Sequence, residues 1–106
     1  NFTIMKEEPF GPLVPILTFK TFDEVIERAN DNDLGLCSYL YTNSMDKAHI
    51  GSEKLESGCV AVNTGVVALA EAPFGGIKQT GYGREGGSGA IKDYLNVKYT
   101  HMGLKI

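Results

Sequence analysis

Leu36-Cys37-Ser38-Tyr39-Leu40-Tyr41-Thr42 and, further along, Cys59-Val60-Ala61-Val62 are the runs whose reading decides the fold. The first is β-type, with two leucines and two tyrosines. The second is a nearly unbroken apolar run, as expected of a strand covered on both faces. Between them, Asn43 or Ser44 caps a helix that carries Met45, Ala48, Ser52 and Leu55 as a narrow inner stripe. Gly58 is the residue type that commonly ends a helix in a left-handed conformation. Upstream, Asn30-Asp31-Asn32-Asp33-Leu34-Gly35 reads as a solvated turn. Its carboxylates do not make a calcium loop, because the glycine is misplaced and no glutamate closes the twelve-residue pattern. Before the turn, Thr21 and Glu24 form a capping box. Phe22, Val25, Ile26 and Ala29 then fall on one helical face. Leu13–Phe19 is a further apolar run, interrupted by Pro15, which makes it a short, bulged or edge strand. Strand, helix, strand, helix, strand with short connections predicts an α/β fold: a βαβαβ unit with right-handed crossovers and a parallel sheet.

After Val62 the chain changes character. Residues 63–89 are loop-rich and hold most of the glycines, 88–94 is a short helical candidate, and Asn96–Met102 alternates like a final strand. Open α/β sheets take their ligands beyond the carboxyl ends of parallel strands, which points to the segment after Val62. Gly81-Tyr82-Gly83-Arg84-Glu85-Gly86 satisfies G-x-G-x-x-G. That fingerprint requires a strand immediately before it and a surrounding βαβ unit, and here it has neither, so the glycines are expected to shape a loop. Arg84 and Glu85 are expected to hold that loop by hydrogen bonds.

The chain has 106 residues, room for one small domain, and a formal charge of -3 with its basic residues scattered. No basic stripe offers itself to nucleic acid and no polybasic tract to a membrane surface. No apolar run approaches the ~20 residues of a membrane span, and no leader pattern indicates secretion. A cytoplasmic location is the expectation. The start at Asn1, without an initiator methionine, is taken as a sign that something upstream is missing. Cys37 and Cys59 read as small core residues with no disulfide expected, and the isolated His49 and His101 give no metal-ligand spacing.

Two stretches carry a family resemblance. Glu7-Glu8-Pro9-Phe10-Gly11-Pro12 is similar to the E-E-x-F-G-P segment of NAD(P)-dependent aldehyde dehydrogenases. Ala72-Pro73-Phe74-Gly75-Gly76-Ile77-Lys78-Gln79-Thr80-Gly81-Tyr82-Gly83-Arg84-Glu85 looks like the family's P-F-G-G-x-K-x-S-G-x-G-R-E block, with Thr80 where serine is usual. The spacing between the blocks, the run ending in Asn63 and the tail Tyr94–Tyr99 also match. Within the family, Asn63-Thr64-Gly65 and Asp93–Tyr99 look most like the succinate-semialdehyde dehydrogenase branch.

The resemblance implies that residues 1–95 are the C-terminal part of the catalytic domain and that 96–106 form a C-terminal strand for subunit association in a homo-oligomer. It makes Glu8 the acceptor for the ribose hydroxyls on the nicotinamide side of NAD or NADP, and Phe10 the aromatic that packs near the nicotinamide ring. It makes Val66–Ala70 (Val67, Ala68 and Leu69 at its centre) and Phe74 the wall of the aldehyde tunnel. By residue type alone, Glu8 also fits a surface carboxylate, and Phe10 and Phe74 also fit packing aromatics. The succinate-semialdehyde branch tends to carry serines around positions 68 and 69; Ala68 and Leu69 depart from that, which leaves the aldehyde open between a less polar one and a carboxylate held by upstream arginines. The nucleophilic cysteine, the general-base glutamate, the oxyanion asparagine and the dinucleotide domain would all lie upstream, so the resemblance implies an inactive piece of an oxidoreductase. The rival expectations are a non-catalytic α/β binding or assembly module built on the same fold and a free-standing nucleotide-binding domain using the late glycines.

Overall fold

A computed structural model describes residues 3–105. Its centre is the expected parallel pair. Strand β2 (Cys37–Leu40) runs alongside β3 (Cys59–Val62), with Cys37 opposite Cys59 and Leu40 opposite Val62. Helix α2 (Met45–Lys54) is the crossover between them. Ser44 is its N-cap, accepting from the Lys47 N–H at 3.3 Å. The inner face differs from the expected stripe. Met45 and Ser52 are exposed, and Gly51 is the buried position. A Cβ at Gly51 would lie 2.5 Å from Leu40 Cδ2 and 3.3 Å from Phe22 Cζ, so the bare glycine lets the helix sit down on both.

Helix α1 (Phe22–Asn30) is where the capping signal places it. Thr21 Oγ1 accepts from the Glu24 N–H at 3.2 Å. The Glu24 carboxylate reaches one residue further back than a capping box requires, to the Lys20 N–H at 2.8 Å, and pairs with Arg28 on the next turn. Ile26 is the buried anchor of this helix at 7% exposure, stabilising by about 1.5–3 kcal/mol. The Asn30–Gly35 run is the expected exposed turn over residues 31–34, and its first residue also makes it a junction. The Asn30 carboxamide donates to Lys54 O at 2.8 Å and accepts from the Glu56 N–H at 2.9 Å, closing the C-terminal end of α2.

Two expected strands are absent as ladders among the described residues. The segment 13–19 carries no regular secondary structure and is exposed; the Leu13 N–H donates to Gly11 O at 2.8 Å, and Arg28 Nη1 donates to Thr18 O at 2.8 Å. A strand exists through its partner, and no described strand lies alongside; Pro15 removes one donor besides. Residues 96–102 likewise carry no regular secondary structure and are exposed. The βαβαβ expectation therefore reduces to α1 followed by β2–α2–β3. A second, unexpected sheet joins β1 (Leu34–Gly35) to β4 (Ile77–Lys78), antiparallel, so the run that begins at Leu36 is part of a broken pair of strands. The helical candidate near the end is a 3-10 helix, Ala90–Tyr94.

Gly58 does not end a helix in a left-handed conformation; its φ is not positive, and Leu55 is the C-cap. Its task is close approach. A methyl there would overlap the Gly75 carbonyl oxygen and lie 2.8 Å from the Gly75 carbonyl carbon. Accessible surface totals 9341 Å², against about 5,800 Å² for a compact monomer of this mass. The radius of gyration is 19.5 Å, where a compact chain of this length has about 13 Å. Among the described residues the buried apolar side chains are Ile26 and Ala61, and no side chain is fully buried. Much of the apolar surface of the described residues is therefore exposed.

Candidate functional site

The carboxyl ends of β2 and β3 are where a parallel sheet offers a site. Asn63 stands there with φ 56, a left-handed conformation that asparagine tolerates better than most residues. Its N–H donates to Leu40 O at 2.8 Å. Its Oδ1 accepts from the Thr42 N–H at 2.8 Å, and its Nδ2 donates to Thr42 O at 2.9 Å. The side chain thus continues the ladder one step beyond the last backbone rung while the main chain turns away. That clasp fixes the start of the loop 64–70.

Thr64 Oγ1 accepts from the Val66 N–H at 3.2 Å, tightening the turn that follows. In the loop, Val66, Ala68, Leu69 and Ala70 are exposed and Val67 is half-buried. Its far end is tied down: the Gly87 N–H donates to Ala70 O at 2.9 Å, and Ala72 N–H to Leu69 O at 3.2 Å. Gly86, with φ 66, permits this approach, since a Cβ there would stand 2.7 Å from Ala72 O. Phe74 is half-buried and its backbone exchanges two 2.7 Å hydrogen bonds with Glu85. The ring position is thereby set from across the glycine-rich loop.

That loop is held from inside. Arg84 Nη1 donates to Gly76 O at 2.8 Å and to Gly83 O at 2.6 Å, as expected, while Glu85 acts through its backbone. A Cβ on Gly83 would meet the Asp93 carboxylate at 3.1 Å, and the Arg84 N–H points at the same oxygen. A phosphate would face that carboxylate, and β4, which precedes the loop, is a two-residue antiparallel strand. Neither feature belongs to a dinucleotide cradle.

Glu8 and Phe10 are not among the residues lining the Phe74 cavity. Glu8 is exposed and borders a groove with Leu36, Cys37, Ser57 and Thr80; Phe10 is 96% exposed. Phe74 lines a different cavity, under Gly81–Gly86, and Thr80 is common to both. Thr80 Oγ1 accepts from the Gly35 N–H at 2.8 Å, so the hydroxyl that stands in for serine pins β1 to the motif loop. Lys78 has φ 56 and donates from Nζ to Asn30 O at 2.9 Å and Asn32 O at 3.0 Å, while pairing with Glu56. Asn30, Asn63, Thr80 and Lys78 were not singled out as organising residues by sequence. An asparagine directly after an apolar run could have flagged Asn63; nothing local flags Lys78. Among the described residues no group of three or more metal-ligating side chains converges.

Glu8 offers a solvent-facing carboxylate, an acceptor suited to a vicinal diol. Phe10, two residues on, offers almost its whole ring to an aromatic partner. These groups suit the ribose and ring of a nicotinamide cofactor, while the phosphates find no donor set in the glycine-rich loop.

Known proteins agree with this frame. The pattern described as "Aldehyde dehydrogenase family" matches residues 1–100. A succinate-semialdehyde dehydrogenase [NADP(+)] of Escherichia coli is 46% identical over 104 residues, covering 98% of this chain and 22% of that protein. A 3-sulfolactaldehyde dehydrogenase of Pseudomonas putida is 48% identical over 100 residues, 94% of this chain and 21% of that protein. Among solved structures, an NAD+ complex of an aldehyde dehydrogenase from Bacillus cereus superposes with a TM-score of 0.88 at 46% identity, covering 92% of this chain and 20% of that one. An Escherichia coli NADP-dependent enzyme gives 0.91 at 46% identity, covering 96% and 21%. The chain therefore spans about a fifth of the length of the relatives it matches, and it belongs to the aldehyde dehydrogenase family.

Proposed function

We propose that this chain is the C-terminal part of the catalytic domain of an NAD(P)-dependent aldehyde dehydrogenase that oxidises an aldehyde to its acid, and that alone it is inactive. The observation that carries the reading is the family match over residues 1–100, joined to surface some 60% above that of a compact monomer. When bound, the nicotinamide cofactor supplies the hydride acceptor. Glu8 then holds the nicotinamide-side ribose and Phe10 flanks the ring. Val67, Ala68 and Leu69, launched by the Asn63 clasp, and Phe74, set by Glu85, wall the aldehyde channel and exclude water from it. The nucleophilic cysteine and the water-activating glutamate belong to the rest of the enzyme; Cys37 and Cys59 do not serve.

Relatives named for succinate semialdehyde and glutarate semialdehyde make a semialdehyde the first substrate to try. The loop 66–70 is wholly apolar, so the distal carboxylate would be held by residues outside this chain. The segment 96–102 joins a second copy in a cytoplasmic homo-oligomer by strand addition.

In the full-length enzyme, Glu8→Ala is expected to raise the KM for the cofactor about 10- to 100-fold, the value of a hydrogen bond to a charged acceptor. The KM for the aldehyde should move little. Calorimetric titration of NAD+ into the 106-residue chain alone should give no heat of binding. Unchanged cofactor KM in Glu8→Ala, or micromolar binding to the isolated chain, would overturn the assignment.

A further inference from the structure

Cys37 and Cys59 take no part in the reaction above. Both thiols are free and half-buried, and they face one another on the first rung of the parallel β2–β3 pair. Rung partners on neighbouring strands project to the same face of the sheet. Strand spacing of about 4.7–4.9 Å puts their Cα atoms inside the roughly 4.4–6.8 Å window that a disulfide spans. The two groups sense each other: burial, and then the adjacent Cys59, push the Cys37 thiol up. Cys59 Sγ has the Gly75 carbonyl as its other neighbour, at 3.8 Å, a weak tie that leaves the sulfur free to turn. No third metal-ligating side chain joins them among the described residues, so a metal centre does not compete for the pair.

We propose that Cys37 and Cys59 form an oxidisable dithiol, a modification site at which a peroxide-class oxidant closes a disulfide that staples β2 to β3. In the first step one thiolate attacks a peroxide oxygen. The O–O bond breaks, a sulfenic acid forms, and one water leaves. The second sulfur then displaces the sulfenic oxygen, the S–S bond forms, and that oxygen departs as a second water with the remaining thiol proton. Two thiols and one hydrogen peroxide give one disulfide and two waters. Because the thiolate is the attacking species, the reaction runs faster as pH rises.

The test is peptide mapping of the folded full-length enzyme after graded hydrogen peroxide, with thiols blocked before digestion. A cross-linked peptide pair containing Cys37 and Cys59, lost on reduction and absent in Cys59→Ser, is the expected result. The yield should climb with pH. Recovery of both residues as free thiols, or as separately over-oxidised acids without the cross-link, would overturn the proposal. Equal cross-linking of the guanidinium-unfolded protein would also overturn it, since the rung would then be irrelevant.

Discussion

Replacing Gly58 by alanine puts one methyl where the crossover unit meets the motif loop. The added Cβ would overlap the Gly75 carbonyl oxygen and stand 2.8 Å and 2.9 Å from the Gly75 carbonyl carbon and Gly76 Cα, all of it backbone. No side-chain rotation relieves such a clash, so the two segments must separate. Gly75 and Gly76 are not free to retreat: Gly76 O accepts from Arg84, and a Cβ at Gly75 would already press on Gly83 O at 2.7 Å. Moving the other way strains the Gly58 N–H bond to Gly35 O, 3.0 Å, and the Cys59 N–H bond to Leu36 O, 2.9 Å, which begin the ladder. Overpacking of this kind costs about 1–3 kcal/mol, and the backbone-on-backbone contact puts Gly58→Ala at the upper end. Gly89→Ala is the matched control. Gly89 has helical φ and ψ of -85 and -21 with nothing near a new Cβ, so alanine there should be neutral or add about 0.4–1 kcal/mol. Urea denaturation of the full-length enzyme, followed by fluorescence and residual activity, measures both. A Gly58→Ala midpoint equal to wild type would refute the close-approach reasoning.

Asn63→Ala removes both side-chain bonds to Thr42 and leaves a β-carbon at φ 56; a loss of about 1–2 kcal/mol is expected in the same assay, with Asn63→Gly milder because glycine accepts that φ. If glycine proves worse than alanine, the strain argument is wrong. Lys78→Met strips Asn30 O, Asn32 O and Glu56 of their shared donor. Partial exposure reduces the cost to about 1–2 kcal/mol, read as a lowered denaturation midpoint that added salt should not reproduce in the wild type. The raised Cys37 thiol has its own signature. Its folded value lies above the ordinary 9.0, so its contribution is whole below pH 9.0 and is lost as pH climbs through the folded value. Melting temperature should fall across that alkaline range and fall less in Cys37→Ser; an unchanged slope would sink the assignment. The isolated 106-residue chain should self-associate, with light-scattering mass rising with concentration, and a clean monomer at high concentration would count against association through the exposed segment 96–102.

Local signals were legible where the physics is local. Thr21 and Ser44 cap their helices because a side-chain oxygen beside a free N–H needs no distant partner. Cys59–Val62 is a strand because an apolar run next to a crossover helix has one place to go. Leu13–Phe19 carries as strong an apolar signal, yet it forms no ladder, since half of a strand's hydrogen bonds belong to its neighbour. Gly58 shows the same limit: sequence offers a glycine after a helix, and whether it serves a left-handed turn or a close passage depends on Gly75. The motif drew attention to Phe74 and Thr80, but not to the bond from Gly35 to Thr80 or the reach of Lys78 back to Asn30, contacts far apart along the chain.

The local closure of β2–α2–β3 bears on the order of events in folding. Its rungs, its crossover helix and the Asn63 clasp close on residues near each other in sequence, so little loop entropy opposes them. The flanks 13–19 and 96–102, without a ladder, have no such early reward. Pulse-labelled hydrogen exchange during refolding should find the amides of Cys59–Val62 protected while those of 13–19 still exchange freely. The slow step of assembly would then be the docking of these arms, and the crossover unit is the seed on which they arrive.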